Sequence, residues 1–130
     1  MQKQCILLLD DEQNILHSLA RLLRADGREI LTALDAQEAL EKLKSSQGVD
    51  LVISDNKLPN MSGVDFLIKV KQLYPDTIRV LITGYPDLDS VIKAINNGQI
   101  YRFITKPWQN EEFKILVKQA LDYADIVKDN

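Results

Sequence analysis

The fold is decided by residues 50–57, DLVISDNK, where a nearly unbroken aliphatic run of strand length is followed at once by charged and amide side chains. Four other runs of similar length lie at residues 5–9 (CILLL), 29–33 (EILTA), 78–82 (IRVLI) and 101–104 (YRFI). The first, third and fourth runs along the chain are mostly aliphatic, as strands covered on both faces tend to be. We therefore predict five strands, the third of them formed by the first five residues of the quoted stretch.

Between these strands the apolar residues repeat at the spacing of amphipathic helices. Residues 15–23 and residues 113–124 each place apolar side chains on one helical face. Asp35 followed by Glu38 predicts a capping box at the start of the second helix, because both carboxylates accept hydrogen bonds from free backbone N–H groups.

Strand and helix alternate along the whole chain, which predicts one α/β domain. Parallel strands need crossover connections, those connections are right-handed, and the connecting helices cover both faces of the sheet. We expect residues 1–125 to form this domain without an internal boundary. Residues 126–130 continue the pattern of the last helix and then stop without a Gly or Pro, so they are either the end of that helix or the start of a linker to a further domain.

Composition and charge exclude several classes of protein. The chain has 130 residues, the size of one domain, and its single cysteine, Cys5, excludes an internal disulfide. Its 16 basic and 19 acidic residues leave a net charge of −3, so it has no basic excess to neutralise a nucleic-acid backbone. The longest uncharged apolar run is far shorter than a membrane span. We therefore expect a cytoplasmic domain that contacts neither nucleic acid nor membrane directly.

Polar side chains follow four of the predicted strands. They lie at residues 10–12 (DDE), 55–57 (DNK), 83–84 (TG) and 105–107 (TKP). Open α/β sheets bind ligands at the carboxyl ends of their strands, so these residues form the candidate site. If the first and third strands are neighbours, the three aspartates in this set converge on one small pocket.

A pocket formed by Asp10, Asp11 and Asp55 has an excess of negative charge. Two carboxylates about 4 Å apart repel by on the order of 4 kcal/mol at an effective dielectric constant near 20. Lys106 offsets part of this charge, and oxygen ligands without a nearby Cys or His favour a hard divalent cation, Mg²⁺ or Mn²⁺. With the hydroxyl of Thr83, the site has the groups that stabilise a transferring phosphoryl group, and an aspartyl phosphate is the expected product.

Four motifs in this chain form a recognisable set. They are Asp10-Asp11, residues 51–55 (LVISD) followed by 58–63 (LPNMSG), residues 82–84 (ITG) and residues 105–108 (TKPW). As a set they resemble the motifs of response-regulator receiver domains of bacterial two-component signalling, and the resemblance covers residues 3–125. It implies a CheY-like fold, which is a flavodoxin-like, doubly wound (βα)5 parallel sheet with strand order 2-1-3-4-5.

The resemblance implies a role for each residue of the acidic pocket. Asp55 corresponds to the phosphoacceptor, Asp11 to a direct metal ligand, and Asp10 to a second ligand that acts through water. The backbone carbonyl of Lys57 corresponds to the third protein ligand, and Asp55 also contacts the metal. The implied cofactor is Mg²⁺.

Three further residues are implied to act on the phosphoryl group. The Thr83 hydroxyl and the Gly84 N–H correspond to groups that hold phosphoryl oxygens, and Lys106 corresponds to the cation that pairs with another oxygen. The family also implies a cis peptide bond between Lys106 and Pro107. Asp55, Thr83 and Lys106 are therefore the expected catalytic residues.

Some positions depart from the common pattern of the family. The switch aromatic, three residues before Lys106, is Phe103, which lacks the hydroxyl of a tyrosine, so only a packing switch remains. Lys57 and Tyr85 occupy the variable positions that tune hydrolysis in the family. Our hypothesis is that the bulky Tyr85 shields the acyl phosphate from water and slows its loss.

The aromatic residues Tyr101, Phe103 and Trp108 lie close together in the sequence and have two possible roles. They either fill the edge of the core or belong to the surface of the fourth helix, fifth strand and fifth helix, where receivers form dimers or meet effectors. Residues 101–108 are also similar to receivers that precede HD-GYP phosphodiesterases and related output modules.

We interpret the chain as a phosphoryl-accepting switch rather than an enzyme. The resemblance implies that a sensor histidine kinase or phosphotransfer protein donates the phosphoryl group to Asp55, and that an output domain or partner protein reads the resulting change. Two alternatives stay open. One is a phosphatase of the haloacid dehalogenase type, although Lys57 stands where its acid belongs, two residues after the nucleophile. The other is an unphosphorylated pseudo-receiver or flavin-binding interaction module.

Overall fold

The computed structural model describes residues 3–24, 27–84 and 88–129. Within these ranges five strands alternate with five helices, so the alternation predicted from the aliphatic runs is confirmed. In chain order the elements are β1 (Cys5–Leu9), α1 (Gln13–Arg24), β2 (Glu29–Ala33), α2 (Ala36–Ser45), β3 (Leu51–Asp55), α3 (Gly63–Leu73), β4 (Ile78–Thr83), α4 (Leu88–Asn96), β5 (Arg102–Thr105) and α5 (Asn110–Asp129).

The strands form one parallel sheet in the order β2-β1-β3-β4-β5, which is the order implied by the resemblance. The third strand begins one residue later than predicted and includes Asp55, because Asp55 pairs in register with Ile82 of β4. The fifth strand is also displaced by one residue, to Arg102–Thr105. As a result, β3 carries an acidic residue as its last member, at the carboxyl edge of the sheet.

Helices cover both faces of the sheet. Leu23 of α1 and Val117 of α5 belong to one buried apolar cluster, and Phe66 of α3 belongs to a second cluster on the opposite face, beneath α2, α3 and α4. Neighbouring residues of β1 alternate between the two, with Leu8 in the first cluster and Leu7 in the second. Both faces of the strand are therefore buried, which explains its unbroken aliphatic sequence. No helix in the described ranges is long and apolar enough to span a membrane.

Side-chain caps fix where two of the helices begin. The Asp35 side chain accepts a hydrogen bond from the Glu38 N–H at 2.8 Å, as predicted for the second helix. Glu38 Oε1 accepts from the Leu34 N–H at 2.8 Å. At the start of α3, the Ser62 hydroxyl accepts from the Asp65 N–H at 3.0 Å. These caps satisfy backbone donors that have no partner inside the helix.

The last helix includes residues 126–129. In its final turn Lys128 forms an ion pair with the buried carboxylate of Asp50, immediately before β3. One turn earlier, Asp125 Oδ2 accepts a hydrogen bond from the side chain of Gln4 at 3.3 Å. These contacts hold the end of α5 against the amino edge of the sheet.

Candidate functional site

Three aspartates meet at the carboxyl edge of the sheet. Asp10 and Asp11 follow β1, and Asp55 ends the adjacent strand β3. One carboxylate oxygen from each of the three lies within 4.8 Å of the other two. Asp10 is 2% exposed and Asp55 is 4% exposed, whereas Asp11 is on the surface. The structure therefore brings together the acids that the sequence places after two strands, and it shields two of them from water.

Lys106 reaches this pocket from the loop after β5. Its Nζ lies 2.6 Å from Asp55 Oδ1, and the Lys106–Pro107 peptide bond is cis. Burial alone lowers the pKa of the Lys106 ammonium, but the hydrogen bond to Asp55 and the negative charges of Asp55, Asp10 and Glu12 together raise it by more, so the pKa is raised overall. Lys106 therefore stays positively charged and offsets one of the three carboxylates.

Among the described residues, one ammonium faces three carboxylates, which leaves a surplus of negative charge, and Asp10 is buried within this cluster. Asp10 Oδ1 accepts a hydrogen bond from the Glu12 N–H at 2.9 Å, whereas Oδ2 is buried and has no hydrogen-bond partner among the described residues. Burial raises the pKa of Asp10 to about 6; the bond from Glu12 opposes this shift, and the charge of Asp55 adds to it. A buried oxygen that has no partner in the described ranges, where three carboxylates and one lysine meet, fits a hard divalent cation, because such cations prefer oxygen ligands.

A backbone N–H contacts the Asp55 carboxylate, and Thr83 ends the adjacent strand. The Lys57 N–H donates to Asp55 Oδ2 at 3.0 Å, and the side chain of Lys57 is exposed. Thr83 ends β4, the strand next to β3, and its hydroxyl donates to the Gly84 carbonyl at 3.1 Å. The two oxygens of Asp55 thus have different partners, Lys106 at Oδ1 and the Lys57 backbone at Oδ2.

Asn56, directly after Asp55, makes three hydrogen bonds that were not predicted from the sequence. Its N–H donates to the Ile82 carbonyl at 2.9 Å, and its carbonyl accepts from the Gly63 N–H at 2.8 Å. Its side-chain Oδ1 accepts from the Val64 N–H at 3.1 Å. No sequence pattern marks this role, because the capping residues that a sequence reveals lie two or three positions before the N–H groups that they bind.

The three aromatic residues near β5 divide between the two faces of the sheet. Tyr101 stacks on Tyr123 of α5 with a centroid distance of 5.2 Å, and Trp108 packs against Phe113 at 5.3 Å. Both contact the apolar cluster beneath α1 and α5, whereas the half-buried Phe103 contacts the cluster on the other face. All three residues contribute to the edge of the core, and Tyr101 and Phe103 also line a groove between α4 and α5.

These features define a class of protein, a five-stranded parallel α/β domain with an acidic pocket and a lysine at the carboxyl edge of its sheet. Residues 6–118 match the response regulator receiver domain. The hydrogenase transcriptional regulatory protein HoxA of Bradyrhizobium diazoefficiens is 38% identical over 124 residues, which cover 95% of this chain and 25% of that protein. The DNA-binding transcriptional regulator NtrC of Escherichia coli K12 is 30% identical over 123 residues, which cover 95% and 26%. The chain spans about a quarter of the length of these relatives.

Solved structures share the fold. The signal receiver domain of an HD domain-containing protein from Pseudomonas fluorescens Pf-5 superimposes with a TM-score of 0.92 and 41% identity, covering 100% of this chain and 95% of that one. The response regulator TrrA of Thermotoga maritima, in complex with Mg²⁺ and BeF, superimposes with a TM-score of 0.80 and 32% identity, covering 91% and 99%. The chain belongs to the response-regulator receiver domains of two-component signalling.

Proposed function

We propose that this receiver domain accepts a phosphoryl group on Asp55 and acts as the switch of a two-component system. The observation that carries the proposal is the cluster of Asp10, Asp11 and Asp55 beside Lys106, in which a buried oxygen of Asp10 has no hydrogen-bond partner within the part of the chain that the structure describes. Surplus buried charge destabilises a fold, so a role in chemistry explains this cluster better than a role in stability does.

The cofactor in this proposal is Mg²⁺, held by oxygens of Asp10, Asp11 and Asp55 and by the backbone carbonyl of Lys57. A donor set made only of oxygen suits this ion. A bound Mg²⁺ supplies positive charge beside the carboxylates and the incoming phosphoryl group. The structure of TrrA with Mg²⁺ and BeF supports the assignment by similarity.

In the proposed reaction, an oxygen of Asp55 attacks the phosphorus atom of a phosphohistidine. The new O–P bond forms as the N–P bond of the donor breaks, and the electron pair of the broken bond leaves with the imidazole. Lys106, 2.6 Å from Asp55 Oδ1, offsets negative charge on the transferring oxygens. The Thr83 hydroxyl and the Gly84 N–H hold the other phosphoryl oxygens. To reach them, the Thr83 hydroxyl must turn away from the Gly84 carbonyl, to which it donates in this structure.

Phosphorylation would alter both charge and packing near β5. A phosphoryl group adds about −1.5 to −2 charges and new acceptor oxygens, which attract Thr83 and Lys106. Movement at the end of β4 reaches Phe103, because Phe103 pairs in register with Leu81 of β4. The groove between α4 and α5, next to Phe103, is the proposed surface for an output domain, a partner protein or a second copy of the chain.

The proposed donor is a sensor histidine kinase or a phosphotransfer protein. HoxA and NtrC are longer transcriptional regulators that match this chain over about a quarter of their length, and the Pseudomonas relative is a receiver domain of an HD domain-containing protein. By analogy, this domain controls an output module in its own chain or in a partner. Its net charge of −3 disfavours direct binding to nucleic acid.

Labelling with acetyl phosphate tests the proposal. With Mg²⁺, the intact mass of the wild-type protein should increase by one phosphoryl group, and EDTA or Asp55→Asn should abolish the increase. Asp65→Asn, which changes an exposed aspartate on α3, is the matched control and should be labelled like the wild type. Labelling of the Asp55→Asn protein at another residue would contradict the assignment.

The same samples distinguish the two alternatives. Continuous hydrolysis of small phosphate esters, without accumulation of labelled protein, would indicate a phosphatase of the haloacid dehalogenase type. A protein that responds neither to acetyl phosphate nor to beryllofluoride with Mg²⁺ would indicate a pseudo-receiver, and a yellow protein would indicate a flavin-binding module.

Tyr85 lies outside the described residues, so its shielding of the acyl phosphate stays a prediction. If its ring keeps water from the phosphoryl group, Tyr85→Ala should lose the label faster than the wild type. The measurement is the decay of labelled protein after the phosphoryl donor is removed, and an unchanged or slower decay would show that Tyr85 has no shielding role.

A further inference from the structure

The turn that follows Asp55 is held in place by Asn56. The Asn56 N–H is bonded to the Ile82 carbonyl of β4, and its carbonyl and side chain are bonded to the first two residues of α3, Gly63 and Val64. One residue therefore joins the end of β3, the end of β4 and the start of α3.

The start of α3 lies directly against the acceptor residue. A Cβ atom on Gly63 would collide with the Asp55 carbonyl and would lie 2.8 Å from the Asn56 Cα. The Gly63 N–H donates to the Asn56 carbonyl at 2.8 Å. Because backbone meets backbone here without an intervening side chain, a displacement of α3 moves Asp55 and its turn as well.

The same turn carries a group that contacts the acceptor carboxylate. The Lys57 N–H donates to Asp55 Oδ2 at 3.0 Å. This N–H belongs to the planar peptide unit that joins Asn56 to Lys57, so its direction is set by the position of Asn56. Holding Asn56 therefore holds the donor that orients Asp55.

We propose that Asn56 is a positioning residue for Asp55, because its side chain, bonded to the Val64 N–H, holds the acceptor turn against α3 and keeps the Lys57 N–H directed at Asp55 Oδ2. This inference rests on the proposed function, since it takes Asp55 as the phosphoacceptor. Without the Oδ1 acceptor, the turn is held only through its backbone, and the carboxylate loses part of its fixed orientation.

A matched pair of substitutions at the start of α3 separates positioning from stability. Asn56→Ala removes the acceptor of the Val64 N–H, and Ser62→Ala removes the acceptor of the Asp65 N–H, so each variant takes one cap from the same helix. Both should lower the melting temperature by similar amounts. Only Asn56→Ala should slow Mg²⁺-dependent phosphorylation by acetyl phosphate, by about tenfold, and weaken Mg²⁺ binding by a similar factor.

A third variant, Asn56→Asp, keeps an oxygen at the Oδ1 position, and the helix N-terminus favours its charge. It should recover most of the phosphorylation rate that Asn56→Ala loses. Rates are measured at a temperature where circular dichroism shows each variant to be folded. If Asn56→Ala does not fold, Asn56→Ser takes its place, and an intermediate loss of rate is expected because the hydroxyl is a shorter acceptor.

Slower phosphorylation of Asn56→Ala than of Ser62→Ala, with recovery in Asn56→Asp, supports the positioning role. Equal rates for Asn56→Ala and Ser62→Ala, in a background where the wild type is labelled, would overturn the positioning role and leave the proposed function intact. A wild-type protein that takes no phosphoryl group would contradict the proposed function and this inference with it.

Discussion

Strand β3 has a buried aspartate at each end, and the two aspartates have different surroundings. Asp50 lies immediately before the strand, at the amino edge of the sheet, and is 3% exposed; Asp55 is the last residue of the strand, at the carboxyl edge, and is 4% exposed. Each forms an ion pair with a lysine from the C-terminal part of the chain, Asp50 with Lys128 and Asp55 with Lys106. The difference between the two edges therefore comes from the other groups nearby.

Those groups differ in their balance of charge. At the amino edge, Asp50 Oδ2 accepts a hydrogen bond from the Cys5 N–H at 2.8 Å, and Oδ1, which has no hydrogen-bond partner among the described residues, is neutralised by its ion pair with Lys128. At the carboxyl edge, Asp55 shares its pocket with two further aspartates, and Lys106 offsets only one carboxylate. A balanced pair stabilises the fold, whereas an unbalanced cluster is suited to bind a cation and receive a phosphoryl group.

The largest effect on stability is expected from removing the carboxylate at the amino edge. Asp50→Ala leaves the buried Cys5 N–H without its acceptor and breaks the ion pair with Lys128. We expect the free energy of unfolding to fall by about 2–4 kcal/mol, measured by urea denaturation. Phosphorylation of the folded variant by acetyl phosphate should not change.

The matched control for this change is Asp50→Asn, which keeps an oxygen for the Cys5 N–H and removes only the charge. A smaller loss of stability is expected for it. If folded Asp50→Asn were no longer phosphorylated, it would be wrong to assign stability to the amino edge and phosphorylation to the carboxyl edge.

At the carboxyl edge we expect a smaller change in the free energy of unfolding, and one of opposite sign. Asp10→Asn removes the repulsion between Asp10 and Asp55 and puts a neutral amide where a buried carboxylate oxygen has no hydrogen-bond partner in residues 3–24, 27–84 and 88–129. In EDTA we expect the free energy of unfolding to rise by about 1–2 kcal/mol, again measured by urea denaturation, while Mg²⁺-dependent phosphorylation is lost.

Asp11→Asn is the control for this prediction, because Asp11 is exposed. It should change the metal-free stability by less than about 0.5 kcal/mol. A metal-free Asp10→Asn protein that is less stable than the wild type would show that the cluster carries no surplus charge.

Apart from the control variants, the smallest effect on the free energy of unfolding is expected from Lys128→Met, at the amino edge. The Lys128 side chain is 50% exposed, so in Lys128→Met water partly takes the place of the lost ammonium beside Asp50. We expect a loss of about 1 kcal/mol in the free energy of unfolding. In the double variant with Asp50→Ala this loss should disappear, and full additivity in the same denaturation experiment would show that the two residues do not interact.

The two edges also differ in how far the sequence predicts them. The carboxyl edge could be predicted, because aliphatic runs end directly at Asp10, Asp55 and Thr83, and parallel strands bring these ends to one side of the sheet. The pairing of Lys128 with Asp50 could not be predicted, because it depends on the length and direction of a helix whose end no Gly or Pro marks.

Other features needed the fold itself. The alternation of strands and helices is compatible with several strand orders, so the order 2-1-3-4-5 came from the resemblance and not from the pattern of residues. The inclusion of Asp55 in β3 follows from its register with Ile82, which is a contact between strands. The hydrogen bond from the Val64 N–H to Asn56 Oδ1 joins residues that are eight positions apart, which is beyond the reach of local capping patterns.

Calorimetric titration with Mg²⁺ near pH 7 measures whether the surplus negative charge at the carboxyl edge binds this ion. The wild-type protein, Asp10→Asn and Asp50→Asn are compared. We expect one Mg²⁺ per wild-type chain, binding at least about tenfold weaker in Asp10→Asn, and wild-type affinity in Asp50→Asn. No binding by the wild-type protein, or equal weakening in the two variants, would show that the carboxyl edge is not a Mg²⁺ site.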